Sequence, residues 1–261
     1  MFVSLHPCMV DWRLSWREMA QLAARTGYAG IDMLRGSAVG EDPVEARAFF
    51  DGLGIRPVMY PLPDESELEH AARFAAAIGC TGMSRALPAS TEWPKAEAAR
   101  ILGERLRHCA RVLEQHGLRL TLEFLGPLHL RRKDAHEFIW NMGDALEFAA
   151  ACGHGTGILL DAWHWHHSGG TAEQIVAAGA GSIIHVHVSD ALPIPAEDVE
   201  DMHREMPGRG NIDFSAFFSA LRSVGYGGGV SPEVFSRGMK ELTPEEGARQ
   251  GLECTRRIMN C

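Results

Sequence analysis

The chain has 261 residues, a formal net charge of -9, and an ordinary balance of 46% hydrophobic and 23% charged residues. A sequence of this length and balance can bury a full core, which excludes disordered, collagen-like and disulfide-scaffold proteins. The length also matches a single large α/β barrel, which has roughly 250 residues. Because an acidic surface repels phosphate backbones, we expect no nucleic acid among the partners.

Eight short apolar runs alternate along the chain with longer helical stretches, and their length and β-branched content favour strands. In chain order the runs are FVSLH (2–6), YAGIDML (28–34), IRPVMY (55–60), TGMSRAL (81–87), LRLTLEF (118–124), GILLD (157–161), IIHVHVS (183–189) and GVSPEVF (229–235). Strands that alternate with helices predict parallel pairing through right-handed crossovers. The competing open, doubly wound sheet would want a glycine-rich turn after the first strand, where the chain has His6-Pro7-Cys8. We therefore predict an α/β fold, a (β/α)8 barrel in which residues 1–261 form a single domain.

The starts of several helices are marked by capping boxes, in which an N-cap oxygen is followed three residues later by Glu or Gln. The predicted boxes are Ser15/Glu18, Ser66/Glu69, Asp134/Glu137, Thr171/Gln174 and Thr243/Glu246. A long helix is predicted from about Pro94 to His116. Its buried face is expected to contain Ile101, Leu102, Leu106, Cys109, Ala110 and Leu113.

The N-terminal segment and the cysteines indicate a cytoplasmic protein. MFVSLHPCMV lacks a basic leader and a cleavage site, so we expect no secretion signal. The longest stretch near the middle without Asp, Glu, Lys or Arg, Gln174 to Ser189, contains two histidines and is not expected to span a membrane. No two of the six cysteines have the spacing of a zinc or redox motif, so we interpret them as reduced thiols, most of them in the core.

Polar residues gather where the last four predicted strands end, and this end of an α/β barrel carries the active site. The residues are Glu123, Asp161, His187 and Glu233. Taken singly, a strand-end Glu or Asp is more often a helix cap or a surface ion pair, and a His is more often a core residue. Four such residues on successive strands nevertheless predict one site. Three carboxylates beside an imidazole repel one another unless a divalent cation joins them. Such an oxygen-rich set suits Mn²⁺, which we expect first, as well as Mg²⁺ or Co²⁺, and Zn²⁺ also accepts it.

Further candidates lie beside these four residues. His164 follows Asp161 by three residues, and we expect it to face the site as a substrate-binding or proton-carrying group. His185 lies one layer below His187 inside the barrel, where a hydrogen-bonded core histidine is expected. Asp190 is expected to orient a ligand.

With these residues, the sequence resembles the xylose isomerase-like barrel superfamily, which is the sugar phosphate isomerase and epimerase group. The resemblance is carried by LTLEFLGP (120–127), GILLDAWHWHHSGG (157–170), HVHVSDA (185–191), REMPGRGNIDF (204–214) and SPEVF (231–235). YAGIDML (28–34) is similar to the second-strand signature, with Asp32 where Glu is commoner. The resemblance implies a TIM barrel with one divalent metal held by Glu123, Asp161, His187 and Glu233. It also implies Glu123 and Glu233 as the acid/base pair, and His164 and Arg204 as substrate contacts.

In function, the resemblance implies a metal-dependent isomerase or epimerase of a small sugar, ketose or cyclitol. The metal would stabilise an enediolate while the two glutamates move the proton. A metal-dependent dehydratase or lyase on a polyhydroxy carbonyl compound shares the first step and is the alternative. An apurinic endonuclease and a non-catalytic barrel are less favoured, the former because it binds DNA through a larger zinc cluster. The expected partner is therefore a small polyhydroxy substrate, with no membrane and no nucleic acid, and members of the group often form homo-oligomers.

Overall fold

The structure, a computed structural model, describes residues 1–260, without the side chain of Arg237. All eight predicted strands are present, and each overlaps the run that predicted it. They are β1 (Phe2–Leu5), β2 (Gly30–Ile31), β3 in two segments (Arg56–Pro57 and Met59–Pro61), β4 (Gly82–Ala86), β5 (Arg119–Glu123), β6 (Gly157–Asp161), β7 (Ile183–Val188) and β8 (Gly229–Pro232).

These strands pair in parallel and form a closed ring. Neighbours follow the chain order, and β8 pairs back with β1. The two segments of β3 are the two ends of the sheet, and Val58 lies between them. The Val58 amide donates to the Ile31 carbonyl at 2.8 Å, and the Val58 carbonyl accepts from the Thr81 amide at 2.9 Å. The ring is therefore the predicted (β/α)8 TIM barrel, and the carboxyl ends of all eight strands meet at one mouth.

Helices surround the ring and cover its apolar outer face. They are α1 (Trp16–Thr26), α2 (Pro43–Leu53), α3 (Glu65–Ile78), α4 (Lys95–Gln115), α5 (Met142–Cys152), α6 (Ala172–Ala178), α7 (Phe214–Ser223) and α8 (Pro244–Met259). Short helices follow β5 (Leu128–Arg131) and β6 (Ala162–His167), and 3-10 turns span Pro7–Val10, Ala196–Asp198, Asp201–His203 and Arg237–Glu241. Two short antiparallel pairs join the loops at the mouth, Ser90–Thr91 with His136–Glu137 and Asp190–Ala191 with Arg204–Glu205.

Capping boxes are present at the starts of α1, α6 and α8, as predicted. The prediction at Ser66 is wrong, because Asp64 is the N-cap of α3 and Ser66 lies inside the first turn. The prediction at Asp134 is also wrong. Ser90 Oγ donates to the Asp134 carboxylate at 2.9 Å, and the following residues His136–Glu137 form a strand pair instead of a helix.

The long helix α4 matches the predicted bounds to within one residue at each end. Leu106, Cys109 and Leu113 are buried, as expected. The prediction that Ile101 is buried is wrong, because its side chain is 42% exposed. Ala98 and Leu106 belong to the face of α4 that packs against the core. Ile101 points about 100° away from the middle of this face, which is the rotation of one residue around the helix.

Cys8, Cys80, Cys109, Cys152 and Cys254 are free, buried thiols, in agreement with their interpretation as reduced core residues. Cys261 lies outside the described residues. Within residues 1–260, no helix combines the length and the apolar character needed to cross a membrane. The cytoplasmic location stays a prediction.

Candidate active site

Four side chains meet at the mouth of the barrel. Glu123 ends β5, Asp161 ends β6, His187 is the last residue but one of β7, and Glu233 directly follows β8. Each of them offers a ligand atom, and these four atoms all lie within 4.8 Å of one another. His187 Nδ1 is 3.9 Å from Glu123 Oε1 and 3.4 Å from Glu233 Oε2. The structure thus brings together the four residues that were predicted to bind a metal, and we call them the acidic cluster.

The donors of the acidic cluster fit a divalent cation. Among the described residues, Glu123 Oε1 and His187 Nδ1 are buried and have no hydrogen-bond partner. An unpaired buried polar atom costs about 1–3 kcal/mol, so two such atoms facing one point indicate a ligand between them. Three carboxylates and one imidazole are donors that Mn²⁺, Mg²⁺, Co²⁺ and Zn²⁺ all accept.

A cavity of about 390 Å³ lies beside the acidic cluster. Glu123 and Glu233 line this cavity, together with the two predicted substrate contacts, His164 and Arg204. The other lining residues are mostly apolar: Ala86, Leu125, Leu130, Asp201, Met202 and Phe235. The cavity therefore combines convergent polar groups with an apolar wall, the usual make-up of a site for a small molecule.

The four residues of the acidic cluster divide into two pairs. Glu123 and Glu233 face both the cluster and the cavity. Asp161 is fully buried and His187 is 5% exposed, and neither of them lines the cavity. A molecule in the cavity would therefore meet the two glutamates and not the other pair.

Asp161 connects the acidic cluster to the short helix that follows β6. Its Oδ1 accepts from the backbone amides of Trp163 and His164, at 2.7 and 3.2 Å, and so caps the helix Ala162–His167. The backbone amide of Gly126 donates to His164 Nδ1 at 3.3 Å. A Cβ on Gly126 would lie 2.1 Å from the His164 carbonyl oxygen, so only glycine permits this approach. These contacts place His164 at the cavity, and burial lowers the pKa of its ring to about 3.

Arg204 reaches the acidic cluster from the long loop between β7 and α7. Its Nη1 donates to Asp161 Oδ2 at 2.8 Å and to Glu233 Oε2 at 3.2 Å. Its Nη2 lies 3.1 Å from His164 Nε2, and the guanidinium carbon lies 4.4 Å from the centre of the Trp163 ring. One buried guanidinium thus neutralises part of the charge of the carboxylates.

Asp190 shapes the loop that carries Arg204. Its carboxylate accepts from the backbone amides of Ala191, Gly208 and Ile212, at 2.9, 2.8 and 3.0 Å. The prediction that Asp190 orients a ligand is therefore wrong. Its oxygens accept hydrogen bonds from the backbone of the loop, so Asp190 contributes to the site by fixing the path of that loop.

The two glutamates have opposite pKa shifts. Burial and the charge of Glu233 raise the pKa of Glu123 to about 8. Burial also acts to raise the pKa of Glu233, but the charges of His187 and Arg204 outweigh it and hold that pKa well below its usual value. Burial acts to lower the pKa of His187, and the charge of Glu233 together with Asp32 outweighs this, so that this pKa is well above its usual value. Close packing of like and unlike charges causes these shifts.

Two further residues lie at the site, His6 and Asp32, and neither was predicted to be a site residue. The His6 ring packs edge-on against His187 with 4.9 Å between ring centroids, and its Nε2 is 3.5 Å from Glu233 Oε1. Asp32 Oδ2 is 3.5 Å from His187 Nε2. Both residues directly follow a strand, β1 or β2, so a search for polar strand ends in the first half of the barrel would have found them.

His185 was predicted as a hydrogen-bonded core histidine, and the structure confirms this. Its Nε2 lies 3.1 Å from Asp32 Oδ2 and 3.1 Å from Ser231 Oγ, and the residue is fully buried.

The sequence profile of the xylose isomerase-like TIM barrel family matches residues 20–258. The chain belongs to this family. A solved xylose isomerase domain protein from Alicyclobacillus acidocaldarius has a TM-score of 0.89 and 28% identity, and the match covers 100% of this chain and 98% of that one. The IolI protein, solved with a bound zinc atom, has a TM-score of 0.85 over 100% of this chain and 98% of that one. At 21% identity, this second likeness shows the shared fold.

Three relatives with named activities are similar to the chain. An inosose isomerase of Bacillus velezensis is 28% identical over 167 residues, which are 64% of this chain and 57% of that protein. An L-ribulose 3-epimerase of Mesorhizobium japonicum is 24% identical over 265 residues, covering 90% of this chain and 81% of that protein. A 3-dehydroshikimate dehydratase of Pseudomonas putida is 29% identical over 149 residues, covering 54% and 22%. The match thus spans little more than half the length of the inosose isomerase.

Proposed function

We propose that this protein is a divalent-metal-dependent isomerase or epimerase of a small sugar, ketose or cyclitol. The observation that carries the proposal is that Glu123 and Glu233 belong to the acidic cluster and also line the cavity. Similarity to an inosose isomerase and to an L-ribulose 3-epimerase supports this class of substrate.

In this proposal, Glu123, Asp161, His187 and Glu233 would hold the cation. When bound, it would supply Lewis acidity that stabilises the negative charge developing on the carbonyl oxygen of the substrate. One of the two glutamates takes the proton from the carbon beside the carbonyl, and the other delivers one. Delivery to the opposite face of the same carbon gives an epimer, whereas delivery to the neighbouring carbon gives an isomer.

His164 and Arg204 contact the substrate in this proposal, because both line the cavity next to the glutamates. Arg204 can donate hydrogen bonds to substrate oxygens, while His164 stays neutral in its buried position. The apolar part of the wall, which includes Leu125 and Phe235, keeps water away from the carbon that loses its proton.

The proposal is tested with a panel of ketoses, aldoses and inososes, incubated with Mn²⁺-loaded protein and analysed by chromatography. Conversion between isomers or epimers that stops when a chelator strips the metal is the expected result. Loss of water from the substrate would instead favour the second candidate, a metal-dependent dehydratase. Similarity to a 3-dehydroshikimate dehydratase supports that candidate, and the first deprotonation is common to both reactions.

Metal binding is predicted to stabilise the protein. A ligand that binds only the folded state contributes about 2.7 kcal/mol at a hundredfold excess over its Kd. For a chain of this size, each kcal/mol corresponds to about 2–4 °C in Tm. We therefore expect Mn²⁺ to raise the Tm of chelator-treated protein by several degrees in a thermal shift assay. A protein that contains no metal by elemental analysis and shows no shift with Mn²⁺, Mg²⁺, Co²⁺ or Zn²⁺ would contradict the site.

Weak or no binding to DNA is also predicted. The net charge of -9 opposes a phosphate backbone, and Arg204, the arginine that lines the cavity among the described residues, is already paired with two carboxylates. We expect no submicromolar affinity for an abasic duplex at low salt in a fluorescence anisotropy assay. Tight binding accompanied by strand cleavage would assign the protein to the apurinic endonucleases instead.

A further inference from the structure

A buried polar network lies inside the barrel, directly below the acidic cluster. Asp32, which is 4% exposed, stands at its centre. Asp32 Oδ1 accepts from Ser4 Oγ at 3.2 Å. Asp32 Oδ2 lies 3.1 Å from His185 Nε2 and 3.5 Å from His187 Nε2. A carboxylate at this depth is costly unless its hydrogen bonds compensate for its lost hydration, so its partners define what it does.

The ring of His187 lies between Asp32 and the acidic cluster. Its Nδ1 lies 3.4 Å from Glu233 Oε2 but forms no hydrogen bond of good geometry with any described residue. Its Nε2, across the ring, faces Asp32. A neutral imidazole that offers a lone pair on one nitrogen carries its proton on the other. In a metal-bound ring, Nδ1 would supply its lone pair to the cation at the acidic cluster, and Nε2 would then carry its proton on the side of Asp32.

We propose that Asp32 is the positioning residue of the metal centre. Its carboxylate accepts the Nε2 proton of His187 and so fixes the ring and the tautomer that presents Nδ1 to the cation. This inference rests on the proposed function, since it assigns a role around the same metal. It adds a residue from the second strand to a site whose ligands all come from strands five to eight.

A purely structural role for Asp32 explains less of the geometry. His185 already has a hydroxyl partner, Ser231 Oγ, at 3.1 Å, so it does not need a charged acceptor. The imidazole of His187 has no other acceptor at Nε2 among the contacts of the described residues. The edge-on packing of His6 at 4.9 Å restrains the plane of the His187 ring but supplies no acceptor for its proton.

His6, Asp32 and His187 also lie close enough together to hold a cation of their own. The hydrogen-bonding role is favoured over this second metal site, because Ser4 and His185 already bond to the carboxylate of Asp32. In addition, His6 Nδ1 lies within hydrogen-bond distance of the Cys8 thiol and accepts from the Cys8 backbone amide. The two arrangements differ in the number of ions bound per chain.

The test compares Asp32→Asn with the control Ser4→Ala, using the full-length chain. Asn has nearly the same shape as Asp but lacks its charge, whereas Ser4→Ala removes a hydrogen bond to the same carboxylate without touching His187. Zinc affinity and stoichiometry are measured by competition with a chromophoric chelator. Loss of such an outer partner typically weakens metal binding about 10–100-fold, which is the expected result for Asp32→Asn. Ser4→Ala is expected to stay near the wild-type affinity.

A second measurement uses only the wild-type protein, so it does not depend on whether a variant folds. In ¹⁵N-correlated spectra of the zinc-loaded protein, the His187 proton is expected on Nε2, with Nδ1 bound to zinc. A proton on Nδ1 would overturn the inference, as would two zinc ions per chain or unchanged affinity in a folded Asp32→Asn variant. In each of these cases the proposed function would stand. A wild-type protein that binds no zinc, manganese, magnesium or cobalt would overturn both.

Discussion

Glu123→Gln and Glu233→Gln are each expected to lower kcat by at least about a hundredfold, the usual contribution of a positioned acid or base. Glutamine keeps the size of the side chain and one oxygen for the metal, but it cannot accept a proton. Metal content should largely remain, because three ligands and an amide oxygen persist. Both quantities are measured on the same preparation, kcat with the identified substrate and metal by elemental analysis.

The control for this pair is Glu137→Gln. Glu137 is an exposed carboxylate that pairs with Arg131 at 3.0 Å and belongs to neither the acidic cluster nor the cavity. Its replacement should leave kcat near the wild-type value. Full activity of Glu123→Gln or Glu233→Gln with metal bound would remove that glutamate from the proton transfer and leave it as a metal ligand.

The two glutamate variants need not behave alike in deuterated water. A base beside a polarised carbonyl removes the neighbouring proton reversibly, so the wild-type protein should introduce deuterium at that carbon unless a shielded proton is returned directly. If one glutamate only abstracts and the other only delivers, the variant of the delivering residue can still exchange the proton without net conversion. Mass spectrometry of recovered substrate would therefore assign the two roles.

Arg204→Met is expected to destabilise the metal-free protein by about 3 kcal/mol, the scale of breaking a buried ion pair. Methionine replaces the aliphatic part of the arginine side chain but has no charge, so Asp161 and Glu233 lose their shared cation. A divalent metal supplies positive charge at the same carboxylates, and it should restore much of the lost stability. The free energy of unfolding is measured by urea titration, once with chelator and once with saturating Mn²⁺.

Arg100→Met is the matched control for Arg204→Met. Arg100 forms an ion pair with Glu104 on the exposed face of α4, where both side chains are 60% exposed. Such a surface substitution changes stability by at most about 0.5 kcal/mol, with or without metal. An equal loss for Arg204→Met in chelator and in Mn²⁺ would mean that the guanidinium does not compensate for the charge of the metal site.

The strands and the acidic cluster could be predicted because both depend on local patterns. Each barrel strand is a short apolar run. A residue at its carboxyl end lies at the mouth of the barrel, and this position can be recognised without knowing the paths of the loops. Glu123 and Asp161 end their strands in the sequence as they do in the structure. The bonding of Asp134 could not be predicted from a local pattern, because its partner, Ser90, is far away in the sequence.

The position of Arg204 could not be predicted for a similar reason. No local pattern says where a long loop returns to the barrel. Its path depends on the pairing of Arg204–Glu205 with Asp190–Ala191 and on three backbone amides that donate to one carboxylate. Asp32 is a different case, because it directly follows a strand and the pattern of polar strand ends applies to it. Its role depends on its partner across the barrel, His187, which the local sequence does not reveal.

The pairing of β8 with β1 has a consequence for how the protein is made. During synthesis the first strand leaves the ribosome long before its final neighbour, so the ring stays open until the last part of the chain has emerged. Glu233 follows that last strand, whereas His6 follows the first, and the two meet at 3.5 Å only after closure. A nascent chain from which Glu233 has not yet emerged therefore has only part of the proposed ligand set. If the proposed site binds a divalent ion, tight binding is expected only after the barrel has closed, and the bound ion would favour the closed state by mass action.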